Sequence, residues 1–358
     1  MTHLTDDVRF EEKKGAHHTI GVITLNRPAV LNSLSHDMIH AMTTQLKHWA
    51  RDDAMHAVVI QSAEGRAFCA GGDLRLIYER TLAGDTGRAT YFQDEYELNR
   101  LIYHYKKPYI AFLNGITMGG GVGLSMHGSH RIATDRLLFA MPETGIGFFP
   151  DVGGTYFLPR LSHEMGVYLG LTGARITVDD AKMLGLVTHK INEAVFPDIM
   201  QALLATPIYA SDAKETVTRI LDQFAVPVET SPLMQVKEEV NTTFHHNSIE
   251  AILTAIKFSG NAFLESVAQT LKKKSPTSLK VTLRALREGL LLDFDACMKQ
   301  EFYLASHFLS GHDFVEGIRA LIIEKDQSPH WQPSDLASIT DSMVLDYFME
   351  PPGQLPLS

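Results

Sequence analysis

The stretch from Lys107 to Leu161 reads KPYIAFLNGITMGGGVGLSMHGSHRIATDRLLFAMPETGIGFFPDVGGTYFLPRL, and no other segment constrains the chain as strongly. An apolar run typical of a buried strand leads into Gly119-Gly120-Gly121, and two carboxylates, Glu143 and Asp151, follow among further glycines. Three successive glycines leave the backbone bare just before a helix expected from Leu124 onwards. Amides at a helix N-terminus favour a developing negative oxygen. The stretch therefore reads as a reaction centre with an oxyanion site and an acid/base pair.

The flanking sequence has the periodicity of an α/β chain. TIGVITL at 19–25 is apolar and β-branched like a strand, with Asn26-Arg27-Pro28 as a turn. Ser35 can cap the helix that follows, where Met38, Ile39, Met42, Leu46 and Trp49 recur at helical spacing up to Arg51-Asp52-Asp53. Short buried strands are expected at 57–60, 109–113 and 131–134, with a helix over 123–128, so that the repeating unit is strand, strand, helix. From about Asp179 glycine thins out and helical patterns take over. The polar segment 207–269 contains the loop AVPVETSP at 225–232, which places a soft boundary near residue 205, dividing the chain into 1–205 and 206–358. Ser275-Pro276 opens a further helix, with serine as the cap and proline in the first turn.

Composition narrows the partners. With 358 residues the chain can bury a sizeable core, and 45% hydrophobic against 21% charged residues is ordinary globular usage. A formal charge of −10 disfavours nucleic acid or an anionic membrane as the main partner, and no apolar run reaches membrane-spanning length. Only Cys69 and Cys297 are present, too few for a disulfide framework, and the opening MTHLTDDVRFEEKKGAHH has no apolar stretch. The expectation is a cytoplasmic protein.

Several motifs now converge: LNRP at 25–28 with NSL at 32–34, GRAFCAGGDL at 65–74, KPYIAFLNG at 107–115, the triple glycine, and TGARITVDDAKMLGLV at 172–187. In order and spacing they resemble the crotonase (enoyl-CoA hydratase/isomerase) superfamily. Within it, ITMGGGVGLSMHG, FAMPETGIGFFPDVGGTYFLPRL and SGHDFVEGIRALIIEKDQSPHW at 310–331 are similar to the 3-hydroxyisobutyryl-CoA hydrolase branch, and that likeness covers nearly the whole chain. The resemblance implies an α/β fold, a ββα spiral core followed by a helical C-terminal region, and an acyl-CoA substrate. It also implies that no metal or redox cofactor is needed, coenzyme A being part of the substrate. Relatives often trimerise through C-terminal helices, which leaves a homo-oligomer open.

The resemblance also assigns residues. The oxyanion hole maps to the backbone amides of Gly72 and Gly120, where only smallness is asked of the side chain. Hydratases of the superfamily carry one glutamate shortly after the triple glycine and a second in a Pro-Glu motif. Here the first position is Gly123, the second is Glu143, and Asp151 stands where typical hydratases have glycine. Hydration wants both a base and an acid on the added water, so this exchange of carboxylates points to thioester cleavage. Glu143 is expected to activate water or to attack the carbonyl itself, and Asp151 to assist proton transfer or hold substrate. Glu95 matches a third carboxylate that contacts substrate, although a glutamate on so polar a helix is by itself ordinarily a solvated one. Coenzyme A is expected along Arg27, Ala29 and Leu31 and along Ala67, Cys69, Ala70 and Asp73. Lys272-Lys273-Lys274 reads as a solvated helix end.

Competing readings fail on spacing. GGGVG lacks the last glycine and the ribose acid of a dinucleotide fingerprint, and the histidine pairs fit no metal motif, so no metal is expected. Ser125 is not in GxSxG, and Cys69 reads as a small packing residue. The leading expectation is hydrolysis of a short 3-hydroxyacyl-CoA. An enoyl-CoA hydratase or isomerase and a non-catalytic acyl-CoA-binding protein are the alternatives.

Overall fold

The computed structural model describes residues 5–85, 88–229 and 231–351, so Thr230 of the expected 225–232 loop lies outside it. The chain forms two compact units that interleave in sequence: Met1–Gly72, Glu97–Phe139 and Ile176–Met234 make the first, and Asp73–Tyr96, Ala140–Arg175 and Gln235–Ser358 the second.

The first unit holds the sheet. Strands β1 (Val8–Lys14), β2 (Thr19–Leu25), β3 (Met55–Ser62), β4 (Ala67–Cys69), β5 (Tyr109–Leu113), β6 (Ile116–Met118), β7 (His130–Ala133), β8 (Leu138–Ala140) and β9 (His189–Lys190) follow in chain order. Six of them form a sheet ordered β1-β2-β3-β5-β7-β9, and β4-β6-β8 form a second. Each pair β3/β4, β5/β6 and β7/β8 thus sends its first strand to one sheet and its second to the other. Only β1 runs antiparallel to its neighbour in the large sheet; the remaining pairs are parallel. Alternation along the strands puts Ile20 and Val22, Ala57 and Val59, Ile110 and Phe112, and Ile132 into one apolar cluster. Helix Phe196–Ala205 adds Ile199 and Leu203 to it, and helix Ala213–Asp222 adds Val217, Ile220 and Leu221.

The expected strand at 19–25 is β2 residue for residue, and Ser35 caps helix His36–Arg51 by accepting the Met38 N–H at 3.3 Å. Two expectations shift. The helix placed at 123–128 runs from Gly120 to Met126, so the triple glycine supplies its cap and first turn rather than preceding it. The division at 205/206 falls inside the first unit, because the helix at 213–222 buries its apolar side in the same cluster as the strands. Among the described residues every element after β9 is helical.

The second unit is built from helices around an aromatic core. Phe148 sits 5.4 Å from Phe92, 4.7 Å from Phe149 and 4.7 Å from Phe314 between ring centroids, and Phe149 stacks on Phe308 at 5.6 Å. These rings flank the turns that carry Glu143 and Asp151, and so set how dry those carboxylates are.

Candidate active site

In the first unit the turns expected to bear the oxyanion amides pack on one another. A Cβ added to Gly121 would lie 2.2 Å from the Cys69 carbonyl oxygen, so only glycine permits this approach. Gly71, at φ +112°, faces the Met118 carbonyl and the Gly120 nitrogen. Gly120 is the first residue of its helix, where a backbone N–H has no acceptor within the helix. Beside Gly72, the Leu34 N–H donates to the Gly71 carbonyl at 2.9 Å.

The same unit stitches together the two segments expected to hold coenzyme A. The Ala70 N–H donates to the Leu31 carbonyl at 3.0 Å, and the fully buried Asn32 donates its amide to the Ala67 carbonyl at 2.9 Å while accepting the Arg27 N–H at 2.8 Å. Leu31 and Asn32 both adopt φ of 55°, a left-handed turn that Asn32 braces. Arg27 donates to the Ser33 carbonyl at 2.8 Å and pairs with Asp7 at 3.2 Å, so its guanidinium also shapes this turn. Ala67 and Cys69 are buried and Ala29 is exposed; Asp73, in the second unit, caps helix Leu74–Leu82. Asn32 lies within the NSL motif, but its bracing role depends on a partner 35 residues away.

The carboxylates belong to the second unit. Glu143 opens the turn Glu143–Ile146 and is 6% exposed, Asp151 is 5% exposed, and Glu95 on helix Arg88–Tyr103 is 3% exposed. Burial of Glu95 rules out a solvated helix face. The fully buried Tyr96 donates its hydroxyl to Asp151 Oδ2 at 2.8 Å. One oxygen of Glu95 and one of Glu143 are buried without a hydrogen-bond partner. A buried polar atom left open in this way is costly and suits a ligand that would complete it.

Dryness governs the protonation of all three. Burial, then the charge of Asp151, raises Glu143 well above the usual carboxylate range, while a backbone hydrogen bond and Lys274 pull it back. Glu95 is raised by the same two causes. Asp151 is pushed up to about 7 by burial, with the Tyr96 hydrogen bond acting to lower it. Lys274 departs from its expected role. Lys272 and Lys273 are exposed, but Lys274 is half-buried, its Nζ 3.2 Å from where a Cβ on Gly145 would stand. Burial lowers it to about 8, against the pull of Glu143.

Sequence reasoning did not single out Tyr96, Thr155 or Glu301, and read Lys274 only as part of a solvated helix end. Glu301 alone left a signal: it interrupts the buried face Cys297, Met298, Phe302, Leu304, Ala305 of helix Phe294–Ser310.

The fold has close counterparts among solved structures. The carnitinyl-CoA dehydratase from Mycobacterium thermoresistibile superposes with a TM-score of 0.89 at 34% identity, covering 99% of each chain. An enoyl-CoA hydratase from Rhodobacter sphaeroides 2.4.1 gives 0.85 at 33%, covering 99% of this chain and 100% of that one. The architecture is the crotonase fold. The family model described as enoyl-CoA hydratase/isomerase matches residues 20–348, and the chain belongs to that family. Among curated relatives, the Gallus gallus protein named "3-hydroxyisobutyryl-CoA hydrolase, mitochondrial" is 43% identical over 97% of this chain and 90% of its own length. Its Danio rerio namesake is 45% identical over 90% and 85%, and that of Homo sapiens 42% over 94% and 87%. Those relatives are named mitochondrial; for this chain, no helix among the described residues is long and apolar enough to cross a membrane.

Proposed function

We propose that the chain hydrolyses a short 3-hydroxyacyl-CoA thioester, namely 3-hydroxyisobutyryl-CoA, to 3-hydroxyisobutyrate and free CoA, a step of valine catabolism. The observation that carries this is the buried pair Glu143 and Asp151, with Tyr96 bonded to Asp151, in a chain 42 to 45% identical to the relatives so named. The main-chain amides of Gly72 and Gly120 take the thioester carbonyl oxygen as it gains negative charge, a contribution of roughly 3–4 kcal/mol per donor in enzymes of this kind. Glu143 either removes a proton from water, whose oxygen then adds to the carbonyl carbon, or adds its own oxygen to form an anhydride that water opens. In both routes the carbon–sulfur bond breaks, and the CoA thiolate leaves and takes a proton. Asp151 serves that proton transfer or holds the substrate, and Glu95 receives the 3-hydroxyl. No metal or redox group takes part, and coenzyme A lies along Arg27–Leu31 and Ala67–Asp73. With both cysteines free and buried, the reading includes a reducing compartment, the cytoplasm.

Glu143→Ala is expected to lower thiol release at least ~100-fold, the scale of a lost general base, with acyl-CoA binding retained by calorimetry. Unchanged release would sink the proposal. The solved neighbours titled dehydratase and hydratase favour a second reading, addition of water to a double bond. A panel of branched 3-hydroxy, straight 3-hydroxy and unsaturated acyl-CoAs separates the two. Loss of crotonyl-CoA absorbance faster than release of thiol from the 3-hydroxy substrates would select the second.

A further inference from the structure

Glu301 lies wholly inside the second unit, yet no step above uses it. Its carboxylate accepts the Gly153 N–H at 2.8 Å, the Thr155 N–H at 2.9 Å and the Thr155 hydroxyl at 2.6 Å. These donors close the turn that starts at Asp151, whose carbonyl accepts the Gly154 N–H at 2.8 Å. Between them Val152 is held at φ 51°, a conformation that a β-branched side chain adopts only when its surroundings impose it. Capping the four-residue helix Gly154–Phe157 would not by itself call for a buried acid 148 residues away, since a local serine or aspartate does that from the surface. Burial pushes Glu301 up to about 8 even with three donors acting to lower it, so the chain keeps an expensive group here.

We propose that Glu301 is the positioning residue for Asp151: by gripping Gly153 and Thr155 it forces the Val152 turn and so aims the Asp151 carboxylate at the Tyr96 hydroxyl. The inference rests on the catalytic reading of Asp151 given above. Misplacing a catalytic group by about 1 Å costs on the order of 100-fold in rate, so the effect belongs in kcat.

The test measures kcat and KM for 3-hydroxyisobutyryl-CoA in Glu301→Gln, Thr155→Val, Thr155→Ser, Tyr96→Phe, Asp151→Asn and the Tyr96→Phe/Glu301→Gln double variant. Glu301→Gln is expected to lower kcat at least ~10-fold with KM within about twofold. Thr155→Val lowers kcat likewise, and Thr155→Ser, which keeps the hydroxyl, restores it. Because Tyr96 and Glu301 act on the same carboxylate, the double variant should be little slower than the worse single one. Independent, multiplying losses would show that Glu301 merely stabilises the unit, and would overturn the inference. Should Glu301→Gln fail to fold, the Thr155 pair decides alone: equal kcat for Val and Ser refutes the positioning role. If Asp151→Asn is inactive while Glu301→Gln and Thr155→Val keep wild-type kcat, only this inference falls. An Asp151→Asn enzyme with wild-type kcat removes the catalytic reading of Asp151, and this inference with it.

Discussion

At the scale of single residues, the carboxylates were legible because glycines surround them, while the groups that tune them were not. Glu143 and Asp151 stand in a segment with few other polar side chains. Tyr96 and Glu301 sit on helices and Lys274 in the short connection before Ser275, and only the tertiary fold shows what they act on. Lys274 shows why this matters. As part of a basic triplet it looks like a helix end in water, yet its ammonium, together with a backbone hydrogen bond, pulls Glu143 back toward ionisation against burial, Asp151 and Glu95. Losing that cation leaves Glu143 protonated to a higher pH. Lys274→Met is therefore expected to be severalfold slower than wild type in kcat/KM at pH 7 and to approach it toward pH 9, with Lys274→Arg close to wild type throughout. A Met variant slowed equally at every pH would remove this electrostatic role.

Among elements, length decided what could be read. β2, β5 and helix His36–Arg51 are long enough for their periodicity to show, whereas β4, β6 and β8 have three residues each, too few for alternation to register. β1 was hidden differently: VRFEEKK is an edge strand with one buried side chain, so its charges leave no apolar alternation to mark it. The start of helix Gly120–Met126 was misplaced because glycine is a poor helix former, and that local cost is accepted for the close approach to Cys69. Gly121→Ala tests this trade. Its methyl would meet a backbone carbonyl that has nowhere to move, so the substitution should destabilise by at least about 2 kcal/mol in urea unfolding. Gly65→Ala, whose Cβ would meet Pro28 Cβ at 3.4 Å and the Ala63 carbonyl oxygen at 3.8 Å, both ordinary contacts, is expected to shift the midpoint little. Equal effects would deny that Gly121 is there for contact.

For the molecule as a whole, the ββα alternation was visible in the strand and helix order, and the family motifs carried it further. The interleaving of the two compact units was not visible, since composition changes along the chain and not in space. The buried acids also tie the site to global stability. Asp151 titrates at about 7 and Glu301 at about 8 in the folded chain, while carboxyls in an unfolded chain titrate near ~4. Across that window the folded state holds more protons than the unfolded one, so these groups weaken the fold as pH rises. His130, held down to about 4 by burial, works the other way: its contribution is lost as pH falls from ~6.5 toward 4. Asp151→Asn, which can still accept the Tyr96 hydrogen bond, should stabilise by about 1–3 kcal/mol at pH 8 while abolishing turnover. The gain in Tm should vanish near pH 4, and a gain independent of pH would mean that charge burial is not its source.

The two cysteines acquire a meaning that packing alone does not give them. Cys69 and Cys297 are both completely buried, and burial lifts the Cys297 thiol to about 12. A catalyst that frees one thiol per turnover would thus offer its product no reactive sulfur for a mixed disulfide. Thiol reagents added to follow the reaction would count released CoA and leave the folded protein silent.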